Sequence, residues 1–348
     1  MKKTTERILY FDVLNIVACM AVIFLHHNGF VHKYSPDMQF AWSQALVVEV
    51  VAFFAVPIFL MLTGATLMEY RKRYDTRTFF KKRLSRVLIP FILWSVITFA
   101  IALWQGRYML DQLSFTGVWN IFMTSDMMSV YWFFPVIISI YLAMPILSLL
   151  TGKADRKWLW YMASIGLITY SILPPVLKLL GLSFNTSYAL PLTAGFVIFP
   201  ILGYLLATEK IKTKWLIAIC VAAVGALTLR YVVTYHLTLQ NGSTNYLLAS
   251  YQYFTGLLPA AAVFLLAKRI PWGRYIKGKA ISVLSIVSSC SLGIYLIHIL
   301  VMNAELQIFQ LADSQWIWRL LMPFLTYLIC LVIVLLLKKG FVTRNLFP

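Results

Sequence analysis

The sequence predicts an all-α integral membrane protein of about ten transmembrane helices with both termini cytoplasmic. Three observations carry that expectation. The first is composition: 61% of the residues are hydrophobic, 12% are charged and the mean hydropathy is +0.81. Soluble domains carry about 25% charged residues, so a water-solvated globule is excluded. The second is the set of apolar runs at 8–27, 45–68, 87–104, 130–150, 157–174, 188–207, 214–233, 246–267, 282–303 and 317–337, each close to the roughly 20 residues that cross a bilayer as a helix. The third is charge placement. The N-terminus, the alternate connections 69–86, 151–157, 208–214 and 268–281, and the C-terminus together hold 25 of the 30 Lys and Arg residues. Positive connections stay on the cytoplasmic side, which gives an even number of spans.

The remaining features follow from that frame. The net charge of +18 sits between apolar runs, so it points to membrane lipid and not to nucleic acid. The start MKKTTER before an apolar run mimics a signal peptide, but the run ends in His26–His27 without a small-residue cleavage site, so it reads as the first span. Residues 1–348 form one transmembrane domain in this reading. Trp42, Trp104, Trp119, Trp132, Trp316 and Trp318 fall near span ends on the sparsely charged side, as an interfacial belt does. The connection 105–129 carries Trp119, Ile121 and Phe122 and is expected to lie along the membrane surface. Pro57, Pro90, Pro135, Pro145, Pro191, Pro200 and Pro259 predict kinks. Cys19, Cys220, Cys290 and Cys330 all lie in apolar segments without ligand spacing, so they read as buried thiols, with no metal site. No internal repeat, phosphate-binding glycine loop or G-x-x-x-G pairing pattern is evident.

The chemistry begins in the first span, ILYFDVLNIVACMAVIFLHH. Asp12, Asn15, Cys19 and His26 fall along one stripe of a helix, and His27 sits about 100° away. Polar groups in a span face the bundle interior or a wet cavity. By the expected topology Asp12 lies in the inner half and His26 near the outer face, with Glu49 of the second span at similar depth. In the ninth span Ser291, Tyr295, His298, Met302 and Glu305 repeat at 4, 3, 4, 3 spacing and share one face. An imidazole oriented by a carboxylate is a workable general base near neutral pH, so His26, Glu49, Asp12 and His298 are the candidate catalytic residues. Each has a plainer reading: a seam between helices, Glu49 in headgroup water, His298 as a packed core histidine, Asp12 paired with Asn15 or a cation, His27 and His32 as interfacial or loop residues. On the other face, eight cations lie within 71–86. They are either a topology signal that attracts anionic lipid or a phosphate-binding site in which Lys82, Arg83 and Arg86 hold a donor.

Five stretches together resemble the membrane-bound acyltransferase family 3. FDVLNIVACMAVIFLHH is similar to the family's first motif, with His26 at its essential histidine. VPIFLMLTGATL (56–67) resembles its phenylalanine-rich stretch ending in serine–glycine, here Thr63–Gly64. FFKKRLSRVLIPFILWS (79–95), VYWFFPVIISIYLAMPIL (130–147, with Tyr141 and Pro145) and SLGIYLIHILV (291–301, ending near His298) follow in the family's order. One departure is clear: Asn15 stands where the family carries arginine, as in a branch that includes O-acetyltransferases of surface polysaccharide, so that charge is absent at the donor-binding position. The resemblance implies O-acylation, usually O-acetylation, of an extracytoplasmic glycan or lipid-linked saccharide. Acetyl-CoA would be the cytoplasmic co-substrate, in a bacterial inner or plasma membrane. It implies His26 as general base or acyl carrier, with Glu49 or Asp12 orienting the ring. Two other functions fit the same residues: a proton-coupled transporter or flippase of a polysaccharide precursor, with Asp12, His26, Glu49 and His298 as relay, and a non-catalytic export subunit whose polar seams serve assembly.

Overall fold

A computed structural model of the chain describes residues 8–109, 113–188, 193, 195–340 and 346–347. The N-terminal cations Lys2, Lys3 and Arg7, together with Arg344 and most of 188–194 in the sixth expected span, lie outside the described residues. Among those described there is no strand. The helices are α1 (Leu9–His27), α2 (Gln39–Ala52), α3 (Ala55–Leu67), α4 (Thr76–Arg83), α5 (Ile89–Trp104), α6 (Phe115–Thr124), α7 (Phe133–Leu147) and α8 (Arg156–Gly166). They continue with α9 (Leu173–Leu179), α10 (Ile198–Thr208), α11 (Thr213–Asn241), α12 (Phe254–Arg269), the single turn α13 (Trp272–Tyr275), α14 (Lys279–Ser289), α15 (Ser291–Phe309) and α16 (Met322–Leu337).

Among the described residues, eight helical segments are long and apolar enough to cross a membrane. This is a helical membrane protein. The spans expected at 188–207 and 246–267 are instead represented by the shorter α10 and the 16-residue α12. The ninth expected span is broken at Cys290 into α14 and α15. The cause is local: Ser288–Ser289–Cys290–Ser291 is a run of weak helix formers. Side chains of α1 serve carbonyls on both sides of the break, Asn15 Nδ2 donating to Ser288 O (2.7 Å) and Cys19 Sγ to Ser291 O (3.7 Å).

Proline shapes three more helices. Widened, π-type turns at Leu84–Leu88, Leu167–Ile172 and Ile317–Leu321 end just before Pro90, Pro174 and Pro323. A proline in a helix lacks the N–H that would reach the carbonyl four residues back, and its ring crowds that carbonyl, so the preceding turn opens. Carbonyls freed this way are taken up elsewhere. His27 Nδ1 donates to Trp318 O (3.0 Å) and Asn28 Nδ2 to Arg319 O (2.9 Å).

The main apolar core threads α1, α3, α7, α10, α12, α15 and α16. At its centre α3 and α10 meet backbone to backbone. A Cβ on Gly64 would lie 1.9 Å from Pro200 O, and one on Gly203 would lie 2.0 Å from Met61 O. Only glycine permits that approach. Apolar side chains such as Val96, Ile146, Val224 and Leu328 point outward, which is the surface lipid covers. The connection expected to lie along the membrane forms α6, whose Phe115, Trp119 and Met123 are exposed at helical spacing; 110–112 are outside the described residues. Between spans, Asp75 caps α4 by accepting from Thr78 N (3.1 Å), and its hydrogen bonds to Thr78 hold the carboxyl below the usual aspartate range.

Candidate active site

The site is organised by α1 running beside α14 and α15 in the same direction. Asn15 meets Ser288, Cys19 meets Ser291 and His26 meets His298. Residues 15, 19 and 26 are the polar stripe read from the first span, and 291 and 298 belong to the 4, 3 pattern of the ninth. All five members of that pattern, from Ser291 to Glu305, are buried.

Toward the α1 N-terminus lies a cavity of about 560 Å³. Asp12 and Asn15 from α1, Thr63 and Thr66 from α3, Ser288 and Ser289, and Tyr141 line it. Three cations reach it: Arg83 from the end of α4, Arg86 from the turn opened by Pro90, and Lys338 from the end of α16. The Nε of Arg83 is buried without a hydrogen-bond partner among the described residues. Asn15 is engaged by Ser288 through its backbone oxygen and its hydroxyl (3.1 Å). It contributes an amide to the wall, not a charge. Lys82 does not line the cavity. It is exposed, with its ammonium 4.2 Å from the centre of the Tyr74 ring, because one residue along a helix turns the side chain about 100°.

Toward the α1 C-terminus lies a second cavity of about 470 Å³. His26 and Glu49 both line it, and His32 stands exposed at its rim, hydrogen-bonded to the Tyr246 hydroxyl (2.9 Å). The rings of His26 and His298 lie 5.0 Å apart, centre to centre. His298 Nδ1 donates to Tyr295 O (2.6 Å), which leaves Nε2 with its lone pair and without a partner among the described residues. One wall is an aromatic stack: Phe53 on Tyr251 at 4.0 Å and 14°, then Tyr251 on Trp132 at 5.8 Å and 18°. Glu49 is fixed by Arg230 (3.2 Å), whose guanidinium lies 3.7 Å from the centre of the Phe53 ring and is 2% exposed. That pairing answers why a cation sits in the middle of α11: it is the buried partner of Glu49, held by charge and by a ring face.

The structure thus groups the sequence candidates differently from the sequence stripe. His26 and Glu49 share one cavity, with His298 packed against His26 behind it, whereas Asp12, some 14 residues back along α1, belongs to the other cavity with Asn15, Arg83 and Arg86. His27, read from sequence as interfacial, is fully buried. Its Nε2 bonds Thr326 Oγ1 (2.8 Å), which also bonds Glu305 Oε2 (2.5 Å). Lys338 was not visible as a site residue, because it looked like a C-terminal topology charge. Tyr295 was legible as a member of the polar face of the ninth span, but its place in both cavities was not. Arg230 carried a usable signal, a lone cation inside a long apolar run.

No curated protein and no solved structure matches the chain. A family model described as an acyltransferase domain matches residues 8–338, nearly the whole length. The chain belongs to the acyltransferase 3 family and is a multi-pass membrane acyltransferase.

Proposed function

We propose that this protein transfers an acetyl group from acetyl-CoA to a hydroxyl of an extracytoplasmic or lipid-linked glycan, in a bacterial inner or plasma membrane. The observation that carries the reading is the opposition of the two cavities. One is ringed by Arg83, Arg86 and Lys338, and the other holds His26 with Glu49 and an aromatic wall. The phosphates of coenzyme A suit the cations, which pair with phosphoryl oxygens through charge-assisted hydrogen bonds. The positive-inside rule supports a cytoplasmic side for that cavity, which lies beside the basic connections. Flat rings of Trp132 and Tyr251 suit the apolar face of a pyranose, and a fixed carboxylate such as Glu49 accepts from sugar hydroxyls.

In this mechanism the acceptor hydroxyl lies against His26. As its oxygen attacks the thioester carbonyl, its proton passes to the imidazole. Collapse of the tetrahedral adduct breaks the C–S bond, and the proton follows to the departing thiolate. His298, held in one tautomer by its Nδ1–H bond to Tyr295 O, packs its ring 5.0 Å from that of His26 and supports it from behind. The alternative in which His26 itself carries the acetyl group uses the same contacts. Purified protein in nanodiscs, given radiolabelled acetyl-CoA and the cell's own lipid-linked saccharide, is expected to release coenzyme A and label the saccharide. Brief exposure to donor alone labels His26 only if it is the carrier. Movement of intact saccharide across the bilayer without donor consumption would favour the flippase and refute this reading. In cells, deletion of the gene is expected to remove an acyl mass increment from the surface glycan.

A further inference from the structure

Among the described residues, Tyr295 alone lines both cavities. We propose that its side chain is the movable partition between them, closing the passage at rest and turning aside when the acyl group goes through. What passes rests on the acyltransferase reading above; that a partition exists does not.

The ring is set as a door is. It lies 5.5 Å from Phe133 and 5.9 Å from Phe134, tilted or edge-on to each, and 5.5 Å from His298. It is latched at its tip, where the hydroxyl donates to Val130 O. The next residue on each side returns the bond, with the Tyr131 hydroxyl donating to Leu296 O (2.9 Å). The Tyr131 bond keeps the start of α7 fixed to α15 when the Tyr295 bond is broken. Opening therefore needs one neutral hydrogen bond and one change of rotamer, not a helix movement. The backbone of Tyr295 stays in place meanwhile, so its carbonyl continues to hold His298 Nδ1. Passage and ring orientation are thus controlled by different parts of one residue. The use of such a door is chemical. The cavity at His26 has an exposed rim at His32, and water that reached the thioester would hydrolyse it: its oxygen would bond to the carbonyl carbon, the C–S bond would break and a proton would go to the thiolate. A closed wall keeps the thioester from the imidazole that would activate water against it until acceptor fills the site.

The test uses sided labelling in sealed vesicles with a small, charged, membrane-impermeant methanethiosulfonate. Cysteines are placed one at a time by Thr63→Cys in the cation-ringed cavity and Gln252→Cys in the aromatic one. With Tyr295 intact, the two are expected to label from opposite sides. With Tyr295→Ala, Thr63→Cys becomes reachable from the side that labels Gln252→Cys. Tyr295→Phe keeps the ring's volume and loses only the latch, so it is expected to raise that labelling rate about fivefold, the shift that one neutral hydrogen bond allows. Unchanged sidedness in Tyr295→Phe and in a monodisperse Tyr295→Ala overturns the partition, as does equal two-sided labelling with Tyr295 intact. If Tyr295→Ala does not yield monodisperse protein, Tyr295→Phe alone decides. A second measurement reads the chemistry: acetyl-CoA hydrolysis without acceptor is expected to rise in Tyr295→Phe. Should labelling respond while no variant, nor the parent, consumes acetyl-CoA, the partition stands and the acetyl-CoA reading fails.

Discussion

The cavity near the start of α1 sets hydroxyls, an amide and the Asp12 carboxylate among apolar side chains beside three cations, whereas the one at the end of α1 is walled by stacked rings beside the Glu49–Arg230 ion pair. The first assembles charge at helix ends, where Arg86 is exposed and Lys338 Nζ donates to Ser289 O (3.0 Å). In the second, the Glu49 carboxylate is paired with the buried guanidinium of Arg230. The difference teaches what each end can bind. An open ring of cations accepts a polyanion of varied shape, while a rigid aromatic wall with one carboxylate selects a ligand by its outline.

Substitutions at each end break that contrast in different ways. His26→Ala is expected to lower acetyl transfer by about 10²–10⁴-fold, the usual worth of a general base. The variant should still insert and elute as one species; transfer near the parental rate would remove His26 from the chemistry. Arg230→Met leaves Glu49 without its cation, and losing one partner of this partly buried pair should cost about 1–3 kcal/mol. Its thermal unfolding should fall sharply, and the double change Arg230→Met with Glu49→Gln should restore most of the loss. No recovery would mean that Arg230 serves the fold through Phe53 alone.

In the core, at the contact of α3 with α10, Gly203→Ala drives a methyl into Met61 O and should cost about 2 kcal/mol by overpacking, read as a lower melting temperature. Arg83→Ala and Lys338→Ala should each raise the KM for acetyl-CoA about tenfold by removing a charge-assisted bond, with kcat nearly unchanged, while Lys82→Ala leaves KM as it is. A loss in Lys82→Ala equal to that in Arg83→Ala would erase the distinction drawn from their positions. The smallest effect belongs to Asp75→Ala, outside both cavities. Because the folded carboxyl titrates below its unfolded value, its contribution is present above the ordinary aspartate range, ~3.9, and is lost as pH falls through the lowered value. The melting difference between Asp75→Ala and the parent is therefore expected at neutral pH and should shrink in acid.

Much of this was legible in one dimension because helices are periodic. The 3.6-residue repeat placed Asn15, Cys19 and His26 on a common face, and the 4, 3 spacing did the same for Ser291 through Glu305. Arg83 and Arg86, three apart, were readable as a pair on one side of a turn. Periodicity is silent on partners, however. Lys338 is more than 250 residues from Arg83, Arg230 is 181 from Glu49, and nothing in either local pattern names the other. Asp12 and His26 show the reverse failure: one stripe, yet two cavities, because a stripe gives direction around a helix and not what stands between its ends.

The sequence by itself determined that this chain is a helical membrane protein, which of its faces are polar, and which family it resembles. All three are properties of composition and of spacing along a single helix. Tertiary structure decided that Gly64 and Gly203 let α3 and α10 touch, that proline-opened turns hand their carbonyls to His27 and Asn28, and that Tyr295 stands between two chambers. Those are facts about surfaces brought together across hundreds of residues, and only packing fixes which surfaces meet.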